Sequence, residues 1–212
     1  MNWFTSDHHW NHTNILGYCA RPFSSMEEMN EVMIERWNER ISDSDTVYHI
    51  GDVFLGRPDN AIEIVRRLKG HKILISGNHD RSRKTMIECG FNEVCNRKDF
   101  TLKNGKLALL CHKPQPESVI KSYDLQIHGH RHDGAIVNGK RLNVCVDLWN
   151  FFPISEDEIC NVELQPPHHD SVQVNVIGDM VEVKALVKKE DIDGLLDHLA
   201  EYTRNLRYTR DS

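Results

Sequence analysis

The sequence has no C-x-x-C pair and no apolar run long enough to cross a membrane. Its six cysteines are scattered along the chain, which favours reduced thiols over a disulfide framework. The first residues are typical of a short strand and lack the pattern of a secretory signal peptide. We therefore expect a cytoplasmic protein with no membrane partner.

An excess of positive charge is also missing. The 212 residues include 26 lysines and arginines against 32 aspartates and glutamates, a formal net charge of −6. This balance disfavours broad nonspecific adhesion to nucleic acids or anionic lipids, although it is compatible with a local cationic site. By contrast histidine is abundant, with 13 copies, and several of these stand beside Gly, Asp or Asn.

The pattern of apolar residues predicts alternating strands and helices, followed by a strand-rich part. Strands are predicted at 2–7, 45–53 and 71–80, and helices at 25–41, 58–70 and about 82–89. Further on, 99–112 is typical of a hairpin turning at Asn104-Gly105, and strands are predicted at 124–130 and 140–147. This succession predicts a layered α/β domain over residues 1–165, with mixed β-sheets flanked by helices.

A small appendage is predicted over residues 166–212, after the linker-like segment QPPHHD. Its sequence indicates a hairpin turning at Gly178-Asp179. A helix follows whose apolar face comprises Ile192, Leu195, Leu196, Leu199, Tyr202 and Leu206. This ββα appendage is expected to pack on its own hairpin or on the main domain, and a homodimer contact is the open alternative.

Residues of the types that bind metals recur where the predicted strands end. They are Asp7, His9, Asp52, Asn78, His79, Asp80, His112, His128, His130 and His132. Strand ends at one edge of an α/β sheet converge on a shared crevice, so we expect these side chains to lie together. Nitrogen and oxygen ligands without thiolates suit divalent manganese, iron or zinc, and this many suit two ions that share a carboxylate.

The motifs that carry these residues resemble a known family. SDHH, GDV, GNHD, CH and HGHRH occur in this order up to residue 132 and are similar to the signature of the calcineurin-like metallophosphoesterases. The fragments RPF, WN and NVCVDLWNFFPIS are similar to small stand-alone phage and bacterial members. The resemblance therefore implies the metallophosphoesterase fold for the first domain.

The resemblance also implies a ligand set for two divalent ions, with Mn²⁺ expected and Fe, Zn or Ni as alternatives. The first ion would be held by Asp7, His9 and His132, the second by Asn78, His112 and His130, and Asp52 would bridge them. His79 would be the general acid, and Asp80 would fix its tautomer and raise its pKa.

Neighbouring residues leave alternatives open. In a strand-like segment residues two apart share a side, so Asp7 and His9 would point together and His8 would face away. His12 either lines the substrate pocket or lies at the surface. Arg21, Lys113 and Arg131 could grip the substrate, or each could be a solvated surface charge. His128 is interpreted as a supporting or core residue.

The function that the resemblance implies is hydrolysis of phosphodiester or phosphomonoester bonds by in-line attack of a metal-bridging hydroxide. The expected substrates are nucleotides, cyclic nucleotides or nucleic-acid ends. GDVFLGR departs from the GDxxDRG pattern of protein Ser/Thr phosphatases, which disfavours that branch. The alternatives are a noncatalytic metal-binding interaction scaffold of the same fold and a metal storage or sensing protein, and the latter has no need of His79.

Overall fold

The computed structural model describes residues 1–162, 172–177 and 180–185. The chain divides into two units, Met1–Pro167 and His168–Ser212. The domain assignment of 1–165 and 166–212 stays a prediction, because the residues around the junction lie outside the described ranges. Within those ranges, no helix combines the length and the apolar character that crossing a bilayer requires.

The first sheet carries the strands that were predicted near the amino terminus. Its members are β1 (Asn2–Thr5), β2 (Thr46–His49), β3 (His71–Ile75), β4 (Glu93–Cys95) and β10 (Ile154–Ser155). They lie in the order β10-β1-β2-β3-β4, with β1 to β4 parallel and β10 antiparallel to β1. The carboxyl ends of β1, β2 and β3 therefore lie at one edge of this sheet.

The second sheet is also mixed. Its members are β5 (Lys98–Thr101), β6 (Leu107–Leu110), β7 (Leu125–His128), β8 (Val137–Asn138) and β9 (Arg141–Asn143). They lie in the order β5-β6-β7-β9-β8. Strands β6, β7 and β9 are parallel, and β5 and β6 form the predicted hairpin, in which Gly105 has φ of 84°. The carboxyl ends of β6 and β7 thus share one edge of the second sheet.

The described residues of this unit contain six α-helices: α1 (Ile15–Tyr18), α2 (Met26–Arg40), α3 (Pro58–Arg67), α4 (Arg83–Cys89), α5 (Glu117–Ile120) and α6 (Glu156–Asn161). The predicted helices α2, α3 and α4 are confirmed. Ser25 caps α2 by accepting a hydrogen bond from the backbone N–H of Glu28 at 3.1 Å, and Pro58 stands in the first turn of α3.

Alternation along the central strands gives the first sheet two apolar faces. Trp3 and Val47 belong to one hydrophobic cluster with Trp37 of α2. Phe4 and Tyr48, one position further on, belong to a second cluster that includes residues of β6, β7 and β9. The layers are therefore helices, first sheet and second sheet, which confirms the predicted layered α/β fold of mixed sheets flanked by helices.

The second unit contains the predicted hairpin. Strand β11 (Val172–Ile177) pairs antiparallel with β12 (Met180–Ala185), with Val174 opposite Val183. The predicted turn at Gly178-Asp179 and the predicted helix that follows the hairpin lie outside the described residues. The ββα character of the appendage and its homodimer contact stay predictions.

Candidate metal centre

Several predicted ligands lie in loops with an unusual backbone. Asp7, His9 and Asp52 have φ of 60°, 51° and 58°, and His130 has φ of 70°. A non-glycine residue in this region costs on the order of 1–3 kcal/mol, and such strain is typical of functional sites. The premise that Asp7 and His9 alternate along a strand is wrong, since β1 ends at Thr5. The kinked backbone nevertheless brings ligand atoms of Asp7, His9 and Asp52 within 4.8 Å of one another.

Two glycines of the motifs allow the loops to approach the carboxylates closely. A Cβ atom at Gly77 would overlap the Asp52 carboxylate, and one at Gly129 would overlap the Asp7 carboxylate. Any larger residue at either position would displace a side chain that is almost fully buried. The glycines of GNHD and HGHRH are therefore required by packing.

Asp52 stands between two groups of side chains. Its Oδ2 lies 3.3 Å from His112 Nε2 and 3.6 Å from His9 Nε2. Its Oδ1 accepts a hydrogen bond from the backbone N–H of His79 at 2.9 Å, which fixes the carboxylate in the middle of the site. One carboxylate oxygen thus faces imidazoles from two different loops.

The three side chains predicted for the first ion form one group near Asp52. Asp7 is completely buried, and its Oδ2 accepts a hydrogen bond from the backbone N–H of His130 at 3.0 Å. His132 Nε2 lies 3.9 Å from Asp7 Oδ1, and the His9 and His132 rings are 5.1 Å apart between centroids. The structure therefore brings Asp7, His9 and His132 together.

The three side chains predicted for the second ion form another group near Asp52. Ligand atoms of Asp52, His112 and His130 lie within 4.8 Å of one another. Asn78 Oδ1 is 3.1 Å from His112 Nε2. All seven side chains predicted as ligands therefore border one region, and their buried Asp and His groups could bind metal ions.

Charge and hydrogen bonding at this region fit a bound cation. Asp7 and Asp52 are both buried, and no Lys or Arg side chain of the described residues pairs with either carboxylate. A buried carboxylate requires a compensating charge. His9 Nε2 and His112 Nε2 face Asp52 and add nitrogen donors beside it. These oxygen and nitrogen donors suit a borderline divalent ion.

Protonation in the structure reflects burial. Burial raises the pKa of Asp7 to about 6 and lowers the pKa of His9 to about 3. Burial also opposes charge on His112, but its hydrogen bond to Asp52 and the nearby Asp7 carboxylate raise its pKa. A divalent ion would favour the carboxylate form of Asp7 and would require the neutral imidazole that His9 already has.

Comparison with known proteins places the chain in a family. No family model matches the sequence. Over 163 residues it is 36% identical to the uncharacterised protein MJ1445 of Methanocaldococcus jannaschii, with 73% of this chain and 86% of that one covered. This chain belongs to the MJ1445 family.

One solved structure supports the fold of this MJ1445-family member. AQ665 of Aquifex aeolicus, a protein of unknown function, is 29% identical with a TM-score of 0.64, covering 76% of this chain and 97% of that one. An archaeal phosphodiesterase is 16% identical with a TM-score of 0.42, covering 87% of this chain and 99% of that one. The second similarity is too low to support a conclusion.

His79 and Asp80 do not form the predicted pair. Asp80 accepts hydrogen bonds from the backbone N–H groups of Asp52, Val53 and Gly77 at 3.0, 2.8 and 2.7 Å. Its carboxylate therefore ties the GDV loop to the GNHD loop and is not hydrogen-bonded to the His79 ring in the described structure. The His79 side chain is 48% exposed, and its Nε2 lies 4.0 Å from Asp52 Oδ2. It stands at the rim of the site, and no carboxylate of the described residues is hydrogen-bonded to its ring.

The environment of Arg21 contradicts both interpretations made from the sequence, a substrate contact and a solvated surface charge. It is buried rather than solvated, and its guanidinium donates to Asp147 at 2.8 and 2.9 Å and to the backbone oxygens of Asp7 and His8 at 2.7 and 2.6 Å. With these partners it cannot reach a substrate. It instead fixes the loop that carries Asp7.

Asp147 was not identified from the sequence. Its Oδ2 accepts a hydrogen bond from His132 Nδ1 at 2.7 Å, so it links Arg21 to a predicted ligand. Burial opposes its ionisation, but the hydrogen bonds from His132 and Arg21 lower its pKa to about 2. The only sequence signal was its place after the strand-like NVCV, the same pattern that marked the other acids.

The histidines near the amino terminus have separate environments. His8 is fully buried, and its ring stacks on Trp10 with the ring centroids 4.1 Å apart. The distance between His8 Nδ1 and His49 Nε2 is 2.9 Å. It is packed away from the ligands, as the sequence interpretation favoured. The His12 ring lies 5.8 Å from the His9 ring and is partly exposed, which leaves it beside the site.

Arg131 and Lys113 are both exposed. Arg131 borders a cavity of about 350 Å³ with the buried His128, and its backbone oxygen accepts a hydrogen bond from Asn143 at 2.7 Å. Lys113 borders another cavity next to His112. Their substrate contacts stay predictions.

Proposed function

We propose that this protein is a metal-dependent phosphoesterase with two divalent ions, Mn²⁺ first among the candidates. Its substrates would be phosphodiesters or phosphomonoesters of nucleotides, cyclic nucleotides or nucleic-acid ends. The observation that carries the proposal is the position of Asp52 Oδ2, 3.3 Å from His112 Nε2 and 3.6 Å from His9 Nε2. One carboxylate so placed can serve two adjacent ligand sets.

The charge of the site supports a phosphate substrate. Two divalent ions bring about four positive charges against the two carboxylates of Asp7 and Asp52, and a positive surplus remains. Asn78 contributes a neutral oxygen where a carboxylate would reduce that surplus. When bound, the ions supply polarisation of the phosphoryl group and an activated water nucleophile.

The residues of the chain position the reaction. Asp7 and Asp52 are held by backbone N–H groups of His130 and His79, and His132 is held by Asp147. His79 is the candidate general acid. It is half exposed at the rim, where its ring could donate a proton to a leaving oxygen.

The test is hydrolysis of bis-p-nitrophenyl phosphate after chelation and reconstitution with manganese, iron, zinc or nickel. We expect no release of nitrophenol from the chelated protein and restored release with at least one ion. The Asp52→Asn variant should stay inactive with every ion. A protein that binds metal but hydrolyses neither this diester nor the monoester p-nitrophenyl phosphate would instead be a scaffold or a metal sensor.

A further inference from the structure

Two adjoining cavities lead away from the candidate metal centre. One has a volume of about 260 Å³ and is bordered by Asn78 and His112, both predicted ligands. The next has a volume of about 450 Å³. Ser76 and Asn96 border both, so the two cavities adjoin. We refer to this pair of cavities as the cationic groove.

The groove takes its name from three exposed cations. Lys113 borders the cavity near the metal centre, and Arg81 and Arg83 border the far one. Lys113 directly follows the predicted ligand His112 in the sequence, and Arg81 and Arg83 follow the GNHD motif. Lys113 shares its cavity with two predicted ligands, whereas the two arginines border the adjoining cavity.

These cations differ from neighbouring ones in their partners. Lys84 pairs with Glu88 at 3.9 Å, and Lys98 pairs with Glu93 at 2.8 Å. Within the described ranges, no carboxylate forms an ion pair with Arg81, Arg83 or Lys113. In a chain with a net charge of −6, a row of unneutralised cations beside the site favours an anionic ligand.

The size of the groove indicates an extended ligand. A single phosphate ester would be bound by the metal centre alone and would not reach the far cavity. A flexible single strand can follow two adjoining cavities, which favours it over a rigid double helix as the occupant. The described lining contains no Phe, Tyr or Trp on which bases could stack, and its polar side chains include Ser82 and Asn96. Binding would therefore depend on backbone phosphates and not on base identity.

We propose that the cationic groove binds the phosphodiester backbone of a single-stranded nucleic acid, with its terminal phosphate at the metal centre. The cleavage of that end rests on the proposed function, whereas binding in the groove does not. The two can therefore be tested separately.

The experiment is fluorescence anisotropy with a labelled mixed-sequence DNA strand of about 12 nucleotides, within the range that single-strand binding surfaces cover. Titrations of the full-length protein in chelator, across a salt series, report binding without turnover. Arg81→Gln/Arg83→Gln is compared with Arg66→Gln/Lys106→Gln, which removes the same charge from exposed positions outside the groove.

We expect the groove variant to bind the strand at least tenfold more weakly. The slope of log K against log salt concentration should become less negative by about 1.4, because two cations are removed. The control variant should bind like the unmodified protein. Because Arg81 also donates to Gly56 O at 3.0 Å, the single Arg83→Gln variant repeats the test without removing that hydrogen bond.

Equal losses in both double variants, or no loss in the groove variant, would overturn the proposal, as would equally tight binding of a single nucleoside triphosphate. Hydrolysis of bis-p-nitrophenyl phosphate without strand binding would contradict the groove proposal and support the proposed phosphoesterase function. Strand binding that depends on the groove, without hydrolysis of any ester, would support the groove proposal and contradict the proposed phosphoesterase function.

Discussion

Asp147 Oδ2 accepts a hydrogen bond from His132 Nδ1 at 2.7 Å, and this contact leaves His132 Nε2 facing Asp7. The carboxylate thereby selects the tautomer of a predicted metal ligand. Such partners commonly change metal affinity by about 10–100-fold when removed. The position of Asp147 therefore bears directly on metal binding, although it is not itself a predicted ligand.

Asp147→Asn should weaken metal binding by about 10–100-fold. The measurement is calorimetric titration of the chelated protein with Mn²⁺. Asp59→Asn, an exposed carboxylate on α3, is the matched control and should leave the affinity unchanged. Equal affinities for Asp147→Asn and the control would show that Asp147 has only a structural role with Arg21.

His79→Ala should lose much more activity on an alkyl phosphate than on an activated aryl phosphate, because only the poor leaving group needs a proton. Its metal content should be unchanged, since His79 is not among the predicted ligands. His71→Ala removes another exposed histidine, at the start of β3, and should behave like the unmodified protein. Equal losses on both substrates together with lost metal would mean that His79 is a ligand.

Asp80→Ala should reduce the free energy of unfolding by about 1–3 kcal/mol, because three backbone N–H groups lose their acceptor. Asp80→Asn retains one acceptor oxygen, so its free energy of unfolding should lie between that of the unmodified protein and that of Asp80→Ala. Urea denaturation in chelator measures both. Unchanged stability in Asp80→Ala would contradict the role of this carboxylate as a tie between the loops.

Stability should fall on acidification because of the buried His49. Burial lowers its pKa from 6.5 to about 3, so between these values the unfolded chain binds a proton that the folded chain does not. Unfolding free energy therefore rises with pH in this window, by at most about 1.4 kcal/mol per pH unit for one group. The full contribution is present above pH 6.5 and is lost toward pH 3.

The measurement is urea denaturation from pH 6.5 to 4 in chelator. His49→Gln should flatten the dependence, while His71→Gln, at an exposed histidine, should not change it. An identical slope in His49→Gln and the unmodified protein would mean that His49 is not kept neutral by the fold.

Much of the fold could be predicted because its main elements carry local signals. Helix α2 begins after a serine cap and α3 begins with Pro58, and the central strands are apolar runs that end in glycine-led loops. The elements that sequence analysis did not resolve are short. Strand β4 has three residues and α1 has four, too few for a periodic pattern to be detected.

In the candidate site, too, some residues could be predicted from the sequence and others could not. Which acids and histidines would meet could be predicted, because each follows a strand end. The partners that orient them could not, since Arg21 and Asp147 are 126 positions apart and meet only through tertiary packing. Asp80 was misassigned for a related reason: adjacency in sequence suggested His79, whereas its carboxylate accepts hydrogen bonds from backbone N–H groups of its own loop and of the GDV loop.

The central claim is that Asp52 is shared by two metal ions. Anomalous diffraction from crystals of the full-length protein soaked in Mn²⁺ tests it most directly. The account predicts two peaks about 3.5–4 Å apart, both in contact with the Asp52 carboxylate. A single peak on one side of Asp52, or peaks remote from it, would contradict the account.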